Sequence, residues 1–328
     1  MKEMRQFLIA LVVVWTAACI AAYVYSTRQA IPARLAVALL PAFLAELAFY
    51  LAPGFQSVRK YFERLGPKPV RAGLLTASAA VPYVLAATAL HAFRFPALAL
   101  LVVFAGIASF WYAVLKRGPV ADLFFLIFMG AVYISRVFGW IYPHATPRLS
   151  LEIMGHLMWV RVGILAVLSI RGFENIRFGF LPSKADWRIG IQLYLLFLPV
   201  AGLAAYALHS LHFRVLAIAW WQYAALIVGT FAGMLWVVAM GEEFFFRGFL
   251  QGLLTKGLRS EAIALVIASA AFGLVHLPFR YFPNWRMVAL TAILGLFCGL
   301  AFLRARSVRA AMVTHALVAT TFRLFFTT

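Results

Sequence analysis

Eleven apolar runs separated by short breaks are the feature that most restricts the fold of this chain. Each run is about 16 to 25 residues long, which is near the length that a helix needs to cross a bilayer. Lipid offers no hydrogen-bond partners, so these runs predict helices, and alternating ten-residue β-barrel segments are not seen. The runs are Phe7–Tyr25, Leu35–Leu51, Gly73–His91, Pro96–Leu115, Leu123–Tyr142, Leu151–Ile170, Ile189–Leu208, Leu216–Met240, Ala262–Leu277, Met287–Leu303 and Val308–Phe326.

Composition supports the same fold class. Of the 328 residues, 65% are hydrophobic and only 12% are charged, whereas soluble domains carry about 25% charged residues. No hydrophilic stretch is long enough for a soluble domain. We therefore predict an all-α integral membrane protein, a polytopic bundle of about ten or eleven transmembrane helices.

The net charge of +19 lies mostly in the breaks between the runs. Cations in such loops set membrane topology and contact anionic lipid headgroups, so membrane lipids are the expected partners and nucleic acid is not. Eighteen cations fall on one side and seven on the other if the N-terminus is cytoplasmic. We expect that orientation and, from the compact loops, a bacterial inner (plasma) membrane.

Ionisable residues within apolar runs mark candidate sites because their burial is costly unless they are paired or solvated. Six of the ten lie in the last third of the chain. We expect Glu46 to pair with an arginine in the bundle, although lining a substrate entrance is an alternative. Cys19 and Cys298 fit neither a disulfide framework nor a zinc ribbon. The ten residues are Glu46, Arg136, His156, Arg161, Glu242, Glu243, Arg247, His276, His315 and Arg323.

The densest cluster is the segment Gly241–Arg247. On a helix, Glu243 and Arg247 are four residues apart and can form an ion pair. Glu242 points about 100° away from Glu243. One carboxylate is therefore expected to be neutralised, while the other stays free to act as a general base or acid.

Two histidines follow on the next membrane runs. Phe272 and His276 are predicted to share one helix face, and His315 lies in the last run. Two histidines and a glutamate that converge could hold a water molecule, either as a base–acid pair or as zinc ligands. Both arrangements suit hydrolysis of an amide, and the sequence leaves the choice between zinc and a metal-free mechanism open.

The order Glu-Glu-x-x-x-Arg, Phe-x-x-x-His and a final His resembles the CPBP intramembrane proteases, which include the CAAX prenyl endopeptidases and the bacterial Abi proteins. The likeness covers roughly Leu216–Phe326. It implies a catalytic core at 216–328, preceded by transmembrane helices and basic loops at 1–215. It also implies an intramembrane endopeptidase that acts on membrane-associated or lipid-modified peptides.

The resemblance also implies roles for individual residues. Glu242 would activate the attacking water together with His276. Glu243 and Arg247 would be the supporting pair, and His315 would help to form the oxyanion site.

One position departs from the family pattern. Ala319 stands where the family often has an asparagine that supplies a second oxyanion donor. A non-catalytic family member, serving as a membrane scaffold, immunity protein or regulator, is therefore the alternative reading. A transporter would predict internal repeats, which the sequence does not contain.

Overall fold

The computed structural model describes residues 2–173, 176–208 and 212–327. The fold is an all-α membrane bundle, as predicted. Eight helices in the described part are long and apolar enough to span a membrane, and Pro119–Ile134 and Glu261–Leu274 are shorter apolar helices. Ten of the eleven predicted runs each coincide largely with one continuous helix. The run Leu123–Tyr142 does not, because the left-handed backbone of Arg136, with φ 56°, divides it between the helices Pro119–Ile134 and Val137–Ile141.

The chain divides into two compact units, residues 1–174 and 175–328. The boundary that we drew at residue 215 from the motifs concerns the extent of the catalytic core and stays a prediction.

Unit 1 is built from eight α-helices and one short hairpin. A 3₁₀ turn at Ala52–Gly54 follows the second helix, and a π-helical segment at Ala166–Ile170 extends the last. The strands β1 and β2 pair antiparallel. The elements are α1 (Lys2–Arg28), α2 (Ala33–Leu51), α3 (Gln56–Arg64), α4 (Lys68–Ala89), α5 (Phe95–Val114), α6 (Pro119–Ile134), α7 (Val137–Ile141), β1 (His144–Thr146), β2 (Leu149–Ser150) and α8 (Glu152–Leu165).

A buried ion pair joins three helices of unit 1. Arg161 of α8 donates from Nε to Glu46 of α2 at 2.8 Å, and its Nη1 donates to the Ser78 hydroxyl of α4 at 2.8 Å. Both charged side chains are only 1% exposed. The guanidinium also lies 4.9 Å from the ring centroid of Phe49. The predicted pairing of Glu46 with an arginine is therefore confirmed.

We predict that Arg161→Met destabilises the protein by about 3–5 kcal/mol, because it leaves the Glu46 carboxylate buried without a counter-ion. The double variant Glu46→Leu/Arg161→Met should recover most of this loss. Chemical unfolding of the purified protein in detergent measures both effects, with the exposed Arg34→Met as control. A double variant as unstable as the single one would contradict the coupling.

Unit 2 contains one continuous helix of 39 residues, Trp220–Leu258, surrounded by shorter helices. Its π-helical segments are Met234–Ala239 and Phe244–Gln251, and β3 pairs antiparallel with β4. The elements are α9 (Lys184–Ala207), β3 (His212–Phe213), α10 (Trp220–Gly233), α11 (Met240–Glu243), α12 (Gly252–Leu258), α13 (Glu261–Leu274), α14 (Trp285–Ala305), α15 (Val308–Phe325) and β4 (Phe326–Thr327).

The helix α13 ends at Leu274, three residues earlier than the apolar run Ala262–Leu277 predicted. Pro278 explains the early end, because a proline disfavours helical geometry in the residue before it. His276 consequently lies in the turn after the helix, where its backbone N–H donates to the Gly273 carbonyl at 2.9 Å.

Small residues let α13 and α14 approach closely. A Cβ added to Gly273 would lie 2.7 Å from the Val288 carbonyl oxygen, and one added to Gly295 would lie 3.0 Å from Ser269. Such contacts between glycines and small residues are typical of packed membrane helices. They bring the end of α13, with Phe272 and His276, against the first half of α14.

Candidate active site

The two glutamates lie between the two π-helical segments of the 39-residue helix. A π-helical turn widens the helix by one residue and occurs often at functional sites. The apolar pattern of the sequence does not predict these turns.

Glu243 is the centre of the site. Its side chain is fully buried, and its Oε2 lies 3.1 Å from Arg247 Nε. Its Oε1 lies 2.7 Å from His315 Nδ1. The predicted Glu243–Arg247 pair is confirmed, and the carboxylate joins α11 to α15.

The Arg247 guanidinium makes two further contacts in the interior. Its Nη2 donates to the Gly295 carbonyl of α14 at 3.2 Å. Its central carbon lies 4.2 Å from the ring centroid of Phe272, a geometry that favours a cation–π interaction. Arg247 therefore connects three helices of unit 2 through a single buried charge.

Glu242 has a different environment from its neighbour. Its side chain is 27% exposed, and Oε2 lies 3.8 Å from His315 Nε2, which is beyond hydrogen-bond length. Glu243 is thus paired with an arginine as expected, whereas Glu242 lies at ion-pair distance from His315 and has no arginine partner among the described residues. The imidazole of His315 lies between the two carboxylates, with Nδ1 toward Glu243 and Nε2 toward Glu242.

His276 belongs to the rim of this cluster. Its Nδ1 donates to the Phe272 carbonyl at 2.8 Å, so the neutral ring carries its lone pair on Nε2. The Phe272 ring lies 4.9 Å from His276 and 5.8 Å from His315. Among the described residues, His276 makes no hydrogen bond or ion pair with either glutamate.

Ala319 lies one turn after His315 on α15. The hydroxyls of the two threonines that follow Ala319 differ in their hydrogen bonding. Thr321 Oγ1 is 2.8 Å from the Tyr194 hydroxyl, whereas Thr320 Oγ1 is buried and has no partner among the described residues.

Two further buried residues of unit 2 were not singled out from the sequence as site residues. Cys298 is completely buried, and its thiol contributes to a group with Glu243 and His315 in which one ligand atom from each lies within 4.8 Å of the others. Gln251 is also completely buried, four residues after Arg247. The signal in the sequence for Gln251 was its position eight residues, about two helical turns, after Glu243.

The group of Glu243, Cys298 and His315 fits a resident metal ion poorly. Thiolate, imidazole and carboxylate donors suit zinc. However, the Glu243 carboxylate is already held by Arg247 at 3.1 Å and by His315 at 2.7 Å. The arginine charge would repel a bound cation.

Several buried polar atoms of the Trp220–Leu258 helix and of α15 have no hydrogen-bond partner in the described part of the chain. They are Glu242 Oε2, Glu243 Oε2, Arg247 Nη1, both amide atoms of Gln251 and Thr320 Oγ1, of which the two carboxylate oxygens lie within ion-pair distance of His315 and Arg247 respectively. Buried polar groups are normally hydrogen-bonded to protein or to ordered water. Their number here indicates an internally hydrated site.

The remaining ionisable residues from the sequence are divided between the two units. In unit 1, His156 packs against Tyr133 at 5.0 Å and lies 3.9 Å from Glu152, while Arg136 is exposed. In unit 2, Arg323 is exposed at the end of α15. The structure therefore brings Glu242, Glu243, Arg247 and His315 into direct proximity and links His276 to them through Phe272.

Comparison with known families supports the resemblance. Residues 223–321 match the family described as type II CAAX prenyl endopeptidase Rce1-like. The matched segment contains all five predicted site residues. The searches of curated proteins and of solved structures each found no match.

We predict that Arg247→Lys lowers the free energy of unfolding by about 1–3 kcal/mol, because one ammonium cannot satisfy Glu243 and the Gly295 carbonyl together. Thermal unfolding in detergent measures this loss. The exposed Arg304→Lys is the matched control and should leave stability unchanged. Equal stability of both variants would contradict the connecting role of Arg247.

Proposed function

We propose that the protein is an intramembrane endopeptidase that hydrolyses a peptide bond in a membrane-associated or lipid-modified peptide. The match of residues 223–321 to the Rce1-like family of CAAX prenyl endopeptidases supports this proposal. The observation that carries the proposal is the position of the His315 imidazole, 2.7 Å from Glu243 and 3.8 Å from Glu242.

Glu242 and His276 are the proposed groups that activate the attacking water. Glu242 keeps a carboxylate that no arginine neutralises, and it is partly accessible. The Phe272 carbonyl holds His276 Nδ1–H, which leaves Nε2 free to accept a proton. A base so placed takes a proton from water as the oxygen attacks the carbonyl carbon, and it then returns a proton to the leaving amine.

His315 is the proposed oxyanion donor. The Glu243 carboxylate accepts a hydrogen bond from its Nδ1, and the same carboxylate pairs with Arg247 at 3.1 Å. A carboxylate in this position orients the imidazole and stabilises its charged form. The Nε2–H, which lies on the side of Glu242, would then donate to the substrate oxygen on which negative charge develops.

The depth of the site suits a substrate that enters from the bilayer. Glu243 lies fifteen residues before the end of the helix at Leu258, which is about 22 Å at the α-helical rise. This end carries basic residues and is the cytoplasmic one in the proposed orientation, in a bacterial inner membrane with the N-terminus inside.

A second candidate function is that of a non-catalytic scaffold, immunity protein or regulator. Ala319 favours it, because loss of one oxyanion donor typically slows hydrolysis by about 10²–10³. The two candidates differ in whether the effect of the protein requires the Glu242 carboxylate.

We predict that Glu242→Gln lowers the rate of cleavage of a prenylated CAAX peptide by at least about 10²-fold, because the amide cannot accept the proton of water. Release of the C-terminal fragment, measured in proteoliposomes, reports the rate. Glu261→Gln removes an exposed carboxylate from the same unit and should leave the rate unchanged.

Two results would reject the endopeptidase. One is wild-type activity in the Glu242→Gln protein. The other is a cellular phenotype that survives this substitution while no peptide is cleaved, which is the outcome expected of a scaffold.

Ala319→Asn tests the departure from the family pattern. An asparagine one turn after His315 would supply a second donor to the oxyanion, so we expect kcat to rise by about tenfold or more. Ala319→Leu, which adds similar bulk but no donor, is the control. A rise in both variants, or in neither, would contradict a missing oxyanion donor.

A further inference from the structure

Three cations gather at one end of unit 1. Lys68 and Arg71 occupy the first turn of α4, where residues three apart share a face. Arg117 lies in the connection between α5 and α6. The side chain of Lys68 is within range of the positive charges of both arginines. We call Lys68, Arg71 and Arg117 the cation cluster.

Arg71 and Arg117 both lie against the end of the last helix of unit 1. Arg71 Nη1 donates to the Ser169 carbonyl at 2.8 Å. The Arg117 guanidinium lies over Gly172, where an added Cβ would be 3.8 Å from both terminal nitrogens. Both guanidiniums therefore converge on residues 169–172.

The charge of the cation cluster is not balanced by the described part of the chain. The nearby Asp122 carboxylate already accepts two hydrogen bonds from Arg171, from Nε at 2.6 Å and from Nη2 at 2.5 Å. No described carboxylate pairs with a member of the cluster, and Arg71 Nε is buried without a partner. The first turn of α4 contains no acidic residue, and its backbone dipole adds further positive charge. An anion would relieve this repulsion.

The position of the cluster indicates the source of the anion. It lies where candidate membrane spans begin at Lys68 and end at Val114 and Ile170, which is the level of lipid headgroups. The two chain neighbours of Arg117, Lys116 and Gly118, line an apolar hollow of about 510 Å³ together with Trp111, Leu115, Val120 and Phe124. A hollow of this kind suits an acyl chain and not a free inorganic ion.

We propose that Lys68, Arg71 and Arg117 bind the phosphate of an anionic membrane lipid, with an acyl chain of that lipid in the adjacent hollow. Basic pockets between membrane helices bind anionic headgroups in this way. The site lies in unit 1, does not overlap the segment that matches the protease family, and is independent of the proposed peptidase.

The test uses the full-length protein in detergent, titrated with phosphatidylglycerol and observed by native mass spectrometry. We expect phosphatidylglycerol to bind more tightly than phosphatidylcholine. Arg71→Gln/Arg117→Gln should weaken phosphatidylglycerol binding by about 25-fold, which is about fivefold for each charge removed. Lys184→Gln/Arg188→Gln removes the same net charge elsewhere and should bind as the wild type does.

The single variant Arg117→Gln separates a loss of binding from a loss of folding. It should fold as the wild type does, because Arg117 is exposed and donates no hydrogen bond within the described residues. It should weaken binding by about fivefold. Wild-type binding by the double variant, or an equal loss in the Lys184/Arg188 control, would overturn the site. Full displacement of the lipid by inorganic phosphate would assign the cluster to a free ion and would also overturn the proposal.

Discussion

A buried guanidinium needs a counter-anion and hydrogen-bond acceptors, and residues of three segments of unit 2 make these contacts with Arg247. Charge at bilayer depth costs several kcal/mol unless the protein replaces water. Glu243 supplies the counter-charge, Gly295 a carbonyl and Phe272 a ring face. Because the same carboxylate also holds His315, the contacts that stabilise the packing are the ones that orient the candidate catalytic imidazole.

Unit 1 also buries an arginine, but its ion pair leaves no carboxylate oxygen unpaired. Glu46 and Arg161 face each other with both oxygens and all three guanidinium nitrogens engaged. This closed pair has no carboxylate left for chemistry and no access to solvent. In unit 2 the second glutamate, Glu242, remains partly exposed. The partly exposed second glutamate distinguishes the candidate active site of unit 2 from the closed ion pair of unit 1.

The sequence predicted much of this arrangement, because apolar runs and i, i+4 charge pairs have direct structural consequences. Ten of the eleven runs each coincide with one helix, the run Leu123–Tyr142 is divided at Arg136, and the Glu243–Arg247 and Glu46–arginine pairs are present. The π-helical turns were not predictable, since apolar patterning does not distinguish α from π geometry. Nor was the proximity of Cys298 to Glu243 and His315, because contacts between helices leave no local pattern in the sequence. The catalytic roles of the five site residues stay predictions.

The wide turns on either side of Glu242 and Glu243 make chain length as important as side-chain identity in this helix. Each π-helical segment shifts every later residue around the helix axis by about one residue's rotation relative to an α-helix. Removing a single residue from Met234–Ala239 would preserve hydrophobicity and helicity. It would nevertheless turn the acids relative to α15. Evolution of such a helix is therefore expected to tolerate exchanges within these segments far more readily than insertions or deletions.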